Sequence, residues 1–188
     1  IGDTIESWEL GNGSISFLES TDLGSNNLSL DLESIWKNET IQSGILTSQV
    51  FEAVGSGVLH IMSMEDDVNT SIIVEVTNAE LNRSIINQVI SERLKIDANG
   101  VLNISSQESE NSSFAVNGDI GVFYLETWDE NGVRRFYDQR FEAIADMIII
   151  DDGSRLDIDV NTLNSGETWN DGVRTSQIEE VVGSGTFG

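Results

Sequence analysis

Thirty-three carboxylates, nine cationic side chains and a single imidazole define the chemistry open to this 188-residue chain. A Ser-His-Asp triad would have to use His60, which sits between Leu59 and Ile61 and shares a parity with Val58 and Met62. A histidine on such a face is expected to be a partly buried structural residue. No Gly-x-Ser-x-Gly elbow is present. With no Cys there is no thiolate nucleophile, disulfide framework or zinc cluster. Two carboxylates could in principle hydrolyse a glycosidic bond, but among so many acids any pair arises by chance. No catalytic residue is therefore assigned.

Calcium is the better-motivated ion, because hard cations take several oxygen ligands. The acidic groups are Glu65-Asp66-Asp67, Asp129-Glu130-Asn131, Asp151-Asp152 and the alternating pair Asp157 and Asp159. None fits an EF-hand loop. Asp157 and Asp159 would project from one face of a strand, about 7 Å apart. There they could share Ca²⁺ with Asp151 or Asp152.

A third chemistry is covalent modification. Asn12, Asn27, Asn38, Asn69, Asn82, Asn103 and Asn111 each precede x-Ser/Thr, the acceptor pattern for N-glycosylation. Used sequons imply a secreted or surface-displayed chain.

The charge balance narrows the partners. A net charge of −24 excludes general nucleic-acid binding, which needs clustered Lys and Arg. It also disfavours anionic membranes and suits divalent cations, basic partners or a salty medium. No apolar run reaches the roughly 18–20 residues of a membrane span. The chain opens on Ile1 without a signal peptide, as a processed chain or a cut fragment would.

Alternation is the main local signal. Leu28, Leu30, Leu32 and Trp36 share one parity, and Leu156, Ile158 and Val160 alternate with acids. Leu94 and Ile96 are expected to pair with Leu102 and Ile104 across a turn at Asp97–Gly100. A period of two with one polar face predicts antiparallel strands, about nine to eleven of them. Turns are expected at Gly11–Gly13, Gly55–Gly57, Asn117-Gly118, Asn131-Gly132, Asp152-Gly153 and Asp171-Gly172. From Ala79 to Leu94 the apolar spacing of three to five predicts an amphipathic helix capped by Asn78. The four Trp residues are expected to anchor the core at strand ends.

Short stretches recur. Trp36 resembles Trp128, and Phe51-Glu52-Ala53-Val54 resembles Phe141-Glu142-Ala143-Ile144, at offsets near 90. Gln177–Gly185 resembles Gln49–Gly57. The expected fold is mainly β: an antiparallel sandwich or curved open sheet built from two related units of about 90 residues, with one helix. The division is 1–78 for the first unit, 79–94 for the helix, 95–166 for the second unit, and 167–188 for an incomplete third that can pack with the others.

The function expected from these features is non-enzymatic. The chain reads as an extracellular or cell-envelope repeat module for adhesion, coat formation or structural interaction. Its partners would be other chains or further repeats, and its acidic loops would take Ca²⁺. The alternative is a half-barrel carrier of a lipid or other apolar ligand, lined by Met62, Met64, Ile85 and Val89. A carbohydrate-active protein using exposed Trp is a weaker third reading.

Overall fold

The computed structural model describes residues 4–10, 13–21 and 24–188, with side chains from Ser25 onward except Glu65. No proline interrupts the chain, so each alternating run extends until a tight turn stops it. The strands are long in consequence. They are β1 (Thr4–Leu10), β2 (Gly13–Thr21), β3 (Gly24–Gln42), β4 (Ile45–Glu65), β5 (Val68–Ile86), β6 (Val89–Ser109), β7 (Ser112–Glu130), β8 (Val133–Asp151), β9 (Ser154–Asn170) and β10 (Val173–Phe187). At 21 residues, β4 and β6 are each about 70 Å of extended chain.

From β3 to β10 the sheet is an uninterrupted antiparallel meander. β1 and β2 lie end to end along the outer edge of β3 in one register, with Leu10 opposite Ile35 and Gly13 opposite Leu32. Two-residue turns connect most hairpins. Ser43-Gly44, Asp66-Asp67, Asn87-Gln88, Asn131-Gly132, Asp152-Gly153 and Asp171-Gly172 place both residues at positive φ. This is the type I′ geometry, whose twist matches that of the strands.

The expected helix at 79–94 is absent, and no helix occurs among the described residues. Ala79–Ile86 ends β5, Asn87-Gln88 turns, and Val89–Leu94 opens β6. The helical spacing came from two alternating strands joined by a two-residue turn. Leu81 and Ile85 face inward, Ile86 and Val89 outward, and Ile90 and Leu94 inward again. Ile85 pairs with Ile90 and Ile86 with Val89, as β-branched residues favour.

Several expected glycine turns are strand interiors. Asp97–Gly100 lies within β6, Gly55–Gly57 within β4, and Asn117-Gly118 within β7. The turn expected at Gly11–Gly13 falls partly outside the described residues. At Gly57 the glycine serves close approach rather than a turn. A Cβ there would lie 1.9 Å from the Ser29 carbonyl oxygen on β3, so only glycine lets the two backbones pack.

Each odd-numbered strand from β3 to β9 carries one extra residue near its middle: Glu33, Thr77, Gly121 and Asn161. Each is a β-bulge, which breaks the period of two and raises the local twist. The inward apolar series therefore jumps by three, from Leu32 to Ile35, Val76 to Ala79, Ile120 to Phe123 and Val160 to Leu163. This moves Trp36 to the outer face, where it is exposed.

The bulges make the sheet curl. Asn26 on β3 and Tyr137 on β8 are five strands apart, about 24 Å in a flat sheet, yet they line one cleft. The core lies on the concave face, centred on Val74, Val76, Ile96, Leu102, Val116 and Phe123. The architecture is thus one curled open sheet. No second sheet occurs among the described residues.

Candidate functional site

The outer face carries the sequons. Asn27, Asn69, Asn82 and Asn103 are exposed and Asn38 is half-buried. All five occupy the parity opposite to the core residues of their strands. Asn111 lies exposed in the turn between β6 and β7. Asn12 lies outside the described residues. The bulges decide this placement, because Asn27 and Asn38 differ in parity yet face the same way across Glu33.

The acidic residues expected to bind calcium are spread along the β8–β9 hairpin. Asp151 and Asp152 are at its turn. Asp157 is three rungs further on and Asp159 five, opposite Ile148 and Asp146. Those steps are about 10 and 17 Å along the strand. Asp157 takes three hydrogen bonds from the Arg155 guanidinium at 2.7–3.1 Å. That pairing holds its carboxyl below the usual carboxylate range. No group of three or more His, Cys, Asp or Glu among the described residues is placed to hold a metal ion.

His60 is half-buried on the outer face of β4, with Nε2 3.3 Å from the Ser71 hydroxyl. Trp36 and Trp128 are likewise exposed on the outer face rather than anchoring the core. Trp169 lies under the Arg174 guanidinium at 5.7 Å. The side chain of Trp8 lies outside the described ones.

One buried charge has no distinctive sequence signature. Asp138 on β8 is 4% exposed. The Arg140 guanidinium donates to both of its oxygens at 3.0 and 2.6 Å, and the Thr168 hydroxyl donates at 3.2 Å. Opposite it on β7 stands Glu126, which accepts from the Tyr124 hydroxyl at 2.6 Å and pairs with Arg93 at 3.1 Å. Donors occupy both carboxylates: the Arg93–Glu126 pair joins β6 to β7, and the Thr168–Asp138 hydrogen bond joins β9 to β8. The only sequence signal was the acid-rich run around Trp128, which does not distinguish this role from a solvated face.

The concave face holds a cleft of about 560 Å³, within the size range of small-ligand sites. Leu28, Leu59 and Ile61 line one side, and Leu94, Ile96 and Leu125 the other. Tyr137, Gln139, Asp129 and Arg134 are also in its wall. Arg134 lies 5.7 Å from the Tyr137 ring and 3.8 Å from Asp129. Burial, with the nearby Glu167 charge, pushes the Tyr137 hydroxyl up to about 12. Met62 and Met64 point to the opposite face and are exposed. Ile85 and Val89 flank the Asn87-Gln88 turn and are not among the cleft-lining residues.

The last hairpin repeats an earlier one. In β3–β4, Leu32 faces Gly55 and Ser34 faces Val54, with Glu33 bulged between. In β9–β10, Val160 faces Gly183 and Thr162 faces Val182, with Asn161 bulged between. Every position is 128 residues on (183 − 55 = 128). The second irregularity repeats as well: Thr40 faces Ser48, and Thr168 faces Ser176. The extra residues there are Thr47 and Thr175, whose hydroxyls donate to the carbonyls of Thr40 at 3.1 Å and Thr168 at 3.2 Å.

Compared with known proteins, the chain matches no family model, no curated protein and no solved structure. No helix of the described residues is long and apolar enough to cross a membrane.

Proposed function

We propose that this chain is a non-enzymatic, repeat-built β-sheet module of an extracellular or cell-envelope protein, serving structural interaction or adhesion. The observation that carries this reading is the recurrence of the β3–β4 hairpin as β9–β10, pair for pair. Repeated units that stack through neighbouring contacts make extended interaction surfaces. The in-strand sequons support a surface location, since all five described ones face away from the core and could carry glycans without disturbing it. The charge of −24 keeps such a surface soluble in salt. Ca²⁺ enters the same proposal as a counter-ion of this acidic surface rather than as an ion held by Asp151, Asp152, Asp157 and Asp159 together.

Intact mass measurement of the chain from its native source tests the reading. Added mass in hexose-sized steps, mapped to Asn27, Asn69 or Asn103, is the expected result. A bare mass together with recovery from the cytosol defeats it.

The concave cleft favours a second reading, a carrier of an apolar ligand. It would use Leu59, Leu94 and Leu125 rather than the methionines. A co-purifying small molecule released by organic extraction, with binding reduced in Leu94→Glu, is the expected outcome for that reading.

A further inference from the structure

We propose that the outer face carries a binding groove for a neutral, extended oligosaccharide, with one sugar ring seated against Trp128. This names a partner for the adhesion reading above and rests on it. The groove encloses about 500 Å³ and crosses from β4 to β7. Glu52, Asn82, Ser84, Ser91, Arg93 and Trp128 line it.

The strand registers put these side chains in line. Trp36 faces Glu52, Glu52 faces Asn82, Asn82 faces Arg93, and Arg93 faces Trp128. The row therefore has an exposed indole at each end, Trp36 on β3 and Trp128 on β7. Those ends are four strands apart, about 19 Å in a flat sheet. Polar side chains fill the interval. Beside the row, Ser84 faces Ser91, and two such small side chains leave the space that forms the groove.

The chemistry of the occupant follows from these groups. A pyranose ring is apolar on its C–H faces and polar around its edge. The C–H face packs on an indole, whose negative π face attracts the C–H hydrogens. The edge hydroxyls need donors and acceptors within reach. Asn82, Ser84 and Ser91 supply both, and none of their side chains has a hydrogen-bond partner among the described residues. Charge selects a neutral ligand. In the groove wall Glu52 and Glu92 offset Arg83 and Arg93, while the chain's −24 repels acidic polymers. The separation of the two indoles selects a chain of sugars over a single one. Asn82 is also a sequon residue, so its amide must be unmodified to act here.

The test titrates the whole chain, produced without glycosylation, with cellohexaose, xylohexaose and mannohexaose. A galacturonic acid hexamer is the charged control. Calorimetry reads affinity, and tryptophan emission reads the contact. Saturable binding of at least one neutral hexasaccharide, with a blue shift in emission, is the expected result. Trp128→Ala should weaken it about tenfold, the loss of one aromatic stacking contact. Trp128→Phe should keep most of the binding and lose most of the spectral shift. Asn82→Ala alters an exposed strand position and should weaken binding about fivefold, by removing one hydrogen-bonding side chain.

Failure of all three neutral sugars to bind overturns the site. So does an acidic hexamer or free glucose that binds as tightly, or affinity unchanged by both Trp128→Ala and Asn82→Ala. A glycan found on Asn82 of the native chain overturns it as well. None of these outcomes touches the glycan test at Asn27, Asn69 or Asn103. A bare chain recovered from the cytosol would defeat the surface reading without altering the titration.

Discussion

Gly57 and Gly185 meet the same obstacle 128 residues apart. A Cβ at either would lie 1.9 Å from a carbonyl oxygen of the preceding strand, that of Ser29 and that of Asp157. Both therefore mark places where the sheet backbone is packed too closely for a side chain. Gly57→Ala should destabilise the chain by about 2–3 kcal/mol, as overpacking in a fixed interior does. Gly185→Ala should cost less, because β10 has a free edge and can move. A Cβ added at Gly121, the bulged residue of β7, would meet nothing within 4 Å, so Gly121→Ala should be within about 1 kcal/mol of neutral. Urea unfolding midpoints rank the three.

The Asn87-Gln88 turn holds a residue poorly suited to its place. Gln88 has φ 70, a left-handed conformation that costs a residue with a Cβ about 1 kcal/mol relative to glycine. Gln88→Gly should raise stability by about that amount, despite the extra freedom of the unfolded chain. Gly132→Ala, at φ 75 in the equivalent position of another turn, should lower it. Opposite signs for these two in thermal unfolding are the expected result.

Asp138 supports the outer-face network. Asp138→Ala should cost about 2 kcal/mol, by removing the acceptor for Arg140 and Thr168. Thr168→Val should cost about 1 kcal/mol, since it removes one hydrogen bond and leaves the charge pair. Equal losses in the two variants would show that the Arg140 pairing contributes nothing.

The tyrosines should resist ionisation. Burial raises the hydroxyls of both Tyr124 and Tyr137, the latter to about 12. A folded-state value above the ordinary 10 means that the folded chain favours the neutral phenol. The stability this contributes is fully present below pH 10 and is lost as pH rises toward 12. Ultraviolet titration should show little phenolate near pH 10 while the chain is folded, and its appearance should coincide with unfolding.

Charge repulsion should make stability depend on salt. At −24, with Asp146 facing Asp159 across the β8–β9 pair, screening favours the folded chain. The unfolding midpoint should rise steadily with NaCl. A Ca²⁺ effect no larger than that of Mg²⁺ at equal ionic strength would indicate screening alone.

Much of the β architecture was legible because local patterns carry it. Asn131-Gly132, Asp152-Gly153 and Asp171-Gly172 mark type I′ turns through their own conformational preferences, and all three form them. The similarity of Gln177–Gly185 to Gln49–Gly57 was also visible, and the paired registers extend it to the whole hairpin. The expected correspondence of Trp36 with Trp128 does not survive. The bulges at Glu33 and Gly121 and the extra residues Thr47 and Arg135 place equivalent positions 88 residues apart (121 − 33 = 88). Trp128 therefore corresponds to Thr40 and Trp36 to Tyr124.

What the sequence by itself determined is the strand class, the tight turns, the acidic surface and the absence of a thiol chemistry. These follow from residue types and their nearest neighbours along the chain. Only the tertiary structure decided that Ala79–Leu94 is a hairpin, that Gly57 and Gly100 lie inside strands, and which face Asn27, Asn38, Trp36 and Trp128 occupy. A bulge exists only relative to a partner strand, and one extra residue reverses every side chain beyond it. The cleft likewise depends on how far the bulged sheet curls.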